Sequence, residues 1–509
     1  MTEKGPGWIY ALRSWHWYGA LTLAAGLFLL WATPWGVRIQ HDSYYYITAA
    51  ASFREGHGFS WLGGEGVLKP LTHFPPLYSL LLALVSLPKA SIPNRASALA
   101  AILFGLSVSL VFWFIYHHSR NRWVSVLGTV MWMISPVVLP ISFAAMTEIL
   151  FMLLVYGCMS ALAAYFVSEE RSHLLLAGIL FSLACLARYA GLALLPALVI
   201  PILLLKTEPL RSRIRDILIL AGCGLFPVGV WFLRNFLVSG TLTNRTFAYH
   251  PVSLDDLRLL LKQISGWFTQ VTMSNYVRLG ILLLIAILYM LLVAELRRIG
   301  GIPSVGTVPL LVMIGLFVVF SVMLLVVSRS FFDASIRIDN RILFPIFVSG
   351  YLAFYLLIGL LCKTRWKYAA WVLLTATVTA HSLTYLPATV GYVQAVRMEG
   401  EGFFSRSMRS SSVMDFVRAR GCVGKIVTNN PELIFLHTGC QAARIPETHD
   451  PLTLIDTLPG ESTIRRLQER LEEDDSYLIL FGSDPVPSYF EDMVPVLDDL
   501  EGRVYSQRP

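Results

Sequence analysis

Eleven stretches of the chain are apolar on every helical face, with short polar turns between them. A membrane-crossing helix needs about 20 mostly apolar residues. Runs near 17–36, 95–116, 124–142, 149–167, 174–188, 190–206, 216–237, 279–296, 308–328, 342–361 and 368–387 approach or meet that length. The pattern predicts buried helices, not alternating strands. Two places decide the count. The run Leu77–Leu87 lies between Pro75-Pro76 and Pro88, and at about 1.5 Å per residue it would reach only about 16 Å. It reads as an interfacial or re-entrant helix. Conversely, Leu174–Leu205 would extend about 48 Å as one helix, against a hydrocarbon core of about 30 Å. A fold-back at Arg188-Tyr189-Ala190-Gly191 is expected. The first run has no small-residue cleavage site of the kind that follows a signal peptide, so it reads as a retained span.

Beyond residue 387 the pattern changes. Lys425–Thr428 and Tyr477–Phe481 have the form of buried strands, and Pro431–His437 (behind Asn430 as cap) and Thr463–Glu472 that of helices. The fold class expected is an α-helical polytopic membrane protein with a small C-terminal α/β domain. Residues 1–387 form the membrane part, with a first outer loop at 37–94 carrying interfacial helices, and residues 388–509 form the soluble part.

Composition agrees: 55% of the 509 residues are hydrophobic and 14% charged, where a soluble protein carries about a quarter charged. That excludes disordered chains and nucleic-acid-binding coats. The net charge of +7 divides unevenly, with 28 basic against 14 acidic residues in 1–387 and 12 against 19 in 388–509. Basic residues concentrate in short cytoplasmic loops. With the N-terminus inside, Arg120, Arg122, Lys206, Arg211, Arg213, Arg215, Arg297, Arg298, Lys363, Arg365 and Lys367 all fall on the inner side. Eleven spans then put the tail outside a cell membrane. Cys422 and Cys440, in that oxidising place, could form a disulfide or remain two thiols. The other four cysteines lie in or beside spans. His117-His118 reads as a solvated inner turn, and the sequon Asn244-Arg245-Thr246 as a chance match.

Ionisable groups at the edge of a membrane are costly and therefore candidates for chemistry. Asp42, in His41-Asp42-Ser43-Tyr44-Tyr45-Tyr46 just beyond the first span, would sit at the start of a short helix ended by glycine; a plain cap is the alternative. Glu148 is a lone acid heading an apolar span, where the helix dipole alone would favour it. Arg188, Arg234, Arg337 and Arg341 all fall on the outer side, where charge bias does not favour them. Snorkelling to lipid phosphate explains any one; four together suit an anionic ligand, because guanidinium pairs with phosphate oxygens.

The order Asp42-Ser43-Tyr44-Tyr45, then His73-Phe74-Pro75-Pro76-Leu77-Tyr78, Thr147-Glu148, Leu186-Ala187-Arg188-Tyr189-Ala190-Gly191, Trp231-Phe232-Leu233-Arg234-Asn235 and Arg341 with Pro345 resembles the GT-C superfamily of membrane glycosyltransferases. It is similar to the bacterial group of protein O-mannosyltransferases and the lipid A aminoarabinose transferase, over roughly residues 15–390. The resemblance implies a polyprenyl-phosphate sugar donor and inverting transfer to a glycan, lipid or protein acceptor. It makes Asp42 the base and Glu148 its assistant, and it makes Arg188, Arg234 and Arg341 donor-phosphate candidates, which Arg337 joins by its outer placement. Tyr44, Tyr45, His73 and Tyr78 become substrate-loop residues. No cofactor is required, although Asp42 and Glu148 could hold a divalent metal. Two positions depart from the pattern: Ser43 follows Asp42 where many relatives have Glu, and Phe74 stands where aminoarabinose-type enzymes have Lys.

The inventory suits such chemistry, since a phosphate leaves as a stable anion needing positive charge, while the acceptor hydroxyl needs a carboxylate. The rival class is a transporter or flippase of lipid-linked or anionic solutes, which would place charges at the midplane and show paired broken helices. A catalytically dead scaffold whose tail binds a partner is a third reading.

Overall fold

The computed structural model describes residues 7–63, 67–85, 92–245, 247–267, 274–299, 306–446, 449–450, 455–456 and 460–507. In chain order the helices up to the second site-bearing turn are α1 (Gly7–Ala32), α2 (His41–Arg54), α3 (Leu77–Val85), α4 (Ile92–Ser119), α5 (Arg122–Met133), α6 (Val138–Ser142), α7 (Glu148–Ser168) and α8 (Arg171–Ala187). They continue with α9 (Leu194–Leu205), α10 (Leu210–Ser239), α11 (Leu254–Gly266), α12 (Asn275–Ile299), α13 (Thr307–Phe331), α14 (Phe344–Leu361) and α15 (Lys367–Glu399). All eleven apolar runs are helical. Among the described residues seven helices are long and apolar enough to cross a membrane alone, and three more apolar helices are shorter. The protein is a multi-pass membrane protein.

Three local departures have physical causes. The run 124–142 is not one helix: α5 stops at Met133, and one further turn, α6, follows Ser135-Pro136. Pro136 has no N–H to continue the ladder, while Ser135 Oγ accepts from the N–H groups of Val137 and Val138 at 3.3 and 3.4 Å. His118 belongs to the last turn of α4 and is buried beside Phe114, not solvated. Lys206 is no free loop charge either: its Nζ lies 3.0 Å from Asp216 and donates to Tyr165 Oη at 3.0 Å, tying the ends of α7, α9 and α10 together.

The fold-back expected after residue 187 is present. Arg188 is extended, and a 3-10 turn over Tyr189–Ala193 leads into α9. Gly191 permits it, because a Cβ there would stand 2.7 Å from the Cys185 amide nitrogen. Along the bundle α7 is the central element, buried over most of its length and packed on α4, α8, α13 and α14. Large side chains fill the space around it, among them Phe114, Trp132, Phe151, Tyr156, Phe181 and Phe317.

The first loop adds a hairpin, β1 (Ser60–Leu62) with β2 (Leu68–Pro70), beside α2. The tail contains α16 (Ser412–Arg420), α17 (Pro431–Thr438) and α18 (Glu461–Glu472) around strands β3 (Ile426–Thr428), β4 (Ala443–Arg444), β5 (Tyr477–Phe481), β6 (Val494–Asp499) and β7 (Gly502–Ser506). Their order in the sheet is β4-β3-β5-β7-β6, parallel around β3 and antiparallel from β5 onward. Asn430 caps α17 through Leu433 N–H.

The tail is tied to the membrane part through Val37–Gln40. The Arg38 N–H donates to Phe143 O at 2.7 Å and Ala145 N–H to Arg38 O at 2.9 Å, while Phe403 N–H donates to Ile39 O at 2.9 Å. Gly402 makes the last approach possible: its φ is +70°, and a Cβ would fall 2.3 Å from Ile39 O.

Cys422 and Cys440 form a disulfide across 18 residues of sequence. Replacing both with serine is expected to lower the tail's stability by about 3 kcal/mol. Earlier proteolysis of residues 412–446 in the intact chain, at denaturant levels that spare the parent, is the readout.

Candidate active site

Four charges from four separate segments meet at one end of the bundle. Asp42 lies in the first turn of α2, directly after the Val37–Gln40 segment that is bonded to Phe143 and Ala145 ahead of α7. Ser43 serves that helix start: its Oγ accepts from Gln40 N–H at 3.3 Å, and it is fully buried. A larger acid in its place would have no room. Glu148 opens α7, Arg188 stands at the α8–α9 turn, and Arg341 precedes α14.

Arg341 bridges the two acids. Its guanidinium forms an ion pair with Asp42, and its Nε donates to Glu148 Oε1 at 2.8 Å. Arg188 pairs with the same Glu148 oxygen and donates to Thr147 Oγ1 at 3.1 Å. The result alternates in sign: Asp42, Arg341, Glu148, Arg188. Burial opposes Arg341's charge, yet Glu148 and Asp42 raise its pKa above the ordinary arginine value. Burial is graded as well. The Glu148 side chain is 2% exposed, whereas those of Arg341 and Asp42 are 28% and 29% exposed. One end of the row is sealed and the other is open. Glu148 Oε2 has no hydrogen-bond partner among the described residues.

Aromatic groups wall the row. The Tyr46 and Tyr78 rings lie 5.2 Å apart, both buried, and Phe74 packs on Tyr46 at 5.0 Å. Burial, then the Asp42 charge, raises the Tyr46 phenol above its usual pKa, so it remains a neutral group. The loop carrying Arg341 is held by α11: Asn340 Oδ1 accepts from Trp267 Nε1 at 2.9 Å and from Gln263 Nε2 at 3.0 Å.

Arg234 and Arg337 are not part of the row. Arg234 donates to Leu71 O at 2.6 Å and to Phe59 O at 2.8 Å, and its guanidinium lies over Trp231. With Asn235 and Tyr189, which both donate to Thr72 O, it grips the first loop. Arg337 is exposed, with no ion pair among the described residues. Tyr44 and Tyr45 face the tail and the β1–β2 hairpin: Tyr44 Oη donates to Leu62 O at 2.8 Å, and Tyr45 meets Trp61 edge-on at 4.8 Å.

Arg245 is the group that the sequence reading missed. Its NH2 lies 3.4 Å from Asp333 Oδ2, and its Nε is buried without a hydrogen-bond partner among the described residues. His73 shares its field. Burial, reinforced by Arg245, lowers the His73 pKa to about 4, although Asp333 and Asp42 pull the other way. The only signal in the sequence was Arg245's place in the loop after α10, shared with many other residues. A hard divalent cation takes about six oxygen ligands. Here Arg341 occupies the space between Asp42 and Glu148, and among the described residues no three His, Cys, Asp or Glu side chains converge as metal ligands. These residues do not fit a metal shared by the two acids.

The sequence profile of the dolichyl-phosphate-mannose-protein mannosyltransferase family matches residues 73–231. The crystal structure of ArnT from Cupriavidus metallidurans bound to undecaprenyl phosphate superposes with a TM-score of 0.50 at 12% identity, covering 98% of each chain. The chain has an ArnT-like fold. The apo state of the same ArnT gives the same TM-score and identity over 97% of this chain and 98% of its own. The arabinofuranosyltransferase AftD from Mycobacteria aligns at a TM-score of 0.49 and 12% identity, over 97% of this chain and 41% of AftD. No curated protein sequence matches the chain. The likeness to ArnT thus takes in both the helical part and the tail.

Arg341→Ala leaves the buried Glu148 with one cation and is expected to cost about 1–3 kcal/mol, seen as a lower Tm that Arg341→Lys partly restores. His73 should also shape acid stability. Its folded pKa is below the unfolded value of about 6.5, so the unfolded chain binds the extra proton and stability falls as pH drops from about 6.5 toward 4. His73→Gln should flatten that part of a Tm-against-pH profile and leave the profile above pH 7 unchanged.

Proposed function

We propose that this chain transfers a sugar from a polyprenyl-phosphate-linked donor to an acceptor hydroxyl on the outer face of the membrane, with inversion at the anomeric carbon. The observation that carries the reading is the Arg341 bridge between Asp42 and Glu148, at the mouth of a GT-C bundle. Asp42, the open end of the row, takes the proton from the acceptor hydroxyl. The acceptor oxygen bonds to the anomeric carbon as the bond to the phosphate oxygen breaks, and the electron pair leaves with the phosphate. No protein acid is needed, because the leaving group departs as an anion neutralised by guanidinium groups. Arg188 and Arg245 supply that charge, Arg245 through its unengaged Nε. Arg341 aims Asp42 at the acceptor, and Glu148 holds Arg341 and Arg188 in place. The undecaprenyl phosphate in the ArnT structure supports a lipid-phosphate donor here.

Sidedness rests on the basic turns. Arg120 and Arg122 at α4–α5, Arg211, Arg213 and Arg215 at the start of α10, and Lys363, Arg365 and Lys367 at α14–α15 lie at the bundle end opposite the four-charge row. By the charge bias of cytoplasmic loops that end is inside, which puts the N-terminus in the cytoplasm and the tail outside. The tail disulfide suits an oxidising compartment.

In a transfer assay with a polyprenyl-phosphate-linked sugar, Asp42→Asn is expected to reduce kcat by about 10²–10⁴-fold while undecaprenyl phosphate still raises Tm. Arg245→Ala should instead weaken that Tm shift. Wild-type transfer by both variants would sink the assignment.

A further inference from the structure

A cavity of about 360 Å³ lies between the first loop and the tail. Its walls come from both parts of the protein: Tyr45 and Trp61 with Lys69 on one side, and Glu432, Phe435 and Arg444 on the other. None of these belongs to the four-charge row. Glu432 is the informative group. Its side chain is 5% exposed and its Oε1 pairs with Arg444, yet Oε2 has no hydrogen bond among the described residues. His41 Nδ1 lies 4.0 Å from Oε2, beyond hydrogen-bond reach. A buried acceptor left unpaired is costly, so a ligand hydroxyl that reaches it gains affinity by satisfying it.

The rest of the lining narrows the ligand class. Trp61 and Tyr45 meet edge-on at 4.8 Å, Phe435 closes on Tyr44, and the Lys69 amine lies 5.7 Å from the centre of the Trp61 ring. Aromatic faces beside a carboxylate and two cations suit a ring with an apolar C–H face and polar edges. A lipid chain would leave Glu432 Oε2 without a hydrogen-bond partner. The volume suits a small polar ligand. Tyr45 also follows Asp42 by three residues on α2, so the two share a helix face about 4.5 Å apart along the axis.

We propose that this cavity seats a sugar ring of the acceptor, so that the acceptor is a saccharide read jointly by the first loop and the tail. The proposal rests on the transferase reading above, and the test separates the two. The purified full-length chain in detergent is titrated with methyl glucoside, methyl galactoside, methyl N-acetylglucosaminide and methyl glucuronide, followed by saturation-transfer NMR. At least one glycoside should receive saturation from the wild type. Glu432→Gln and Trp61→Ala should each weaken its binding by about tenfold or more, while the Tm shift produced by undecaprenyl phosphate persists and reports an intact fold. No saturation transfer to any of the four glycosides would overturn the proposal, as would equal binding by Glu432→Gln. Loss of the undecaprenyl phosphate shift in the wild type would instead count against the donor reading and leave the saccharide result standing.

Discussion

The guanidinium of Arg341 holds together segments that lie 299 and 193 residues away in sequence. Every other feature of the site depends on that bridge. Two acids at the rim of a membrane protein would repel one another and draw water into the bundle. A delocalised cation between them, forked to reach both, turns the repulsion into an ordered row. The order has a direction, because Glu148 is sealed in protein while Asp42 reaches solvent. The sealed acid is held by two arginines, and the open one is the end of the row that solvent reaches.

The bundle serves to bring these ends to one level. The fold-back at Arg188 returns the chain to the rim after a short helix, and the break at Ser135-Pro136 delivers Phe143–Ala145 to the Arg38 backbone. Arg234, placed by an analogous helix end, performs a different task. It spends its donors on carbonyls of the first loop and so fixes the loop that carries His73. Two arginines of similar appearance in sequence thus differ because one meets carboxylates and the other meets backbone.

Much of this was legible from residue order. Continuous apolar runs have one stable outcome in lipid, so the helices could be placed, and the fold-back followed from a length that no bilayer accommodates. The row of Asp42, Glu148, Arg188 and Arg341 could be named because charges at a membrane rim are few. What could not be read was which cation faces which acid. Arg234 and Arg337 carried the same signal as Arg341, and only the packing of α11 against Asn340 separates them. Arg245 was hidden among ordinary loop residues. The cavity between loop and tail was hidden for another reason: its halves, near Trp61 and Glu432, are about 370 residues apart, and no pattern in either predicts the other.

The short segment after the first helix carries one more implication. Arg38 is bonded to the turn before α7, and its neighbour Ile39 to the start of the tail, so three backbones run side by side three residues ahead of Asp42. Such a junction works as a common hinge pin. A displacement of the tail would therefore act on the same peptide units that lead into α2 and its Asp42 carboxylate.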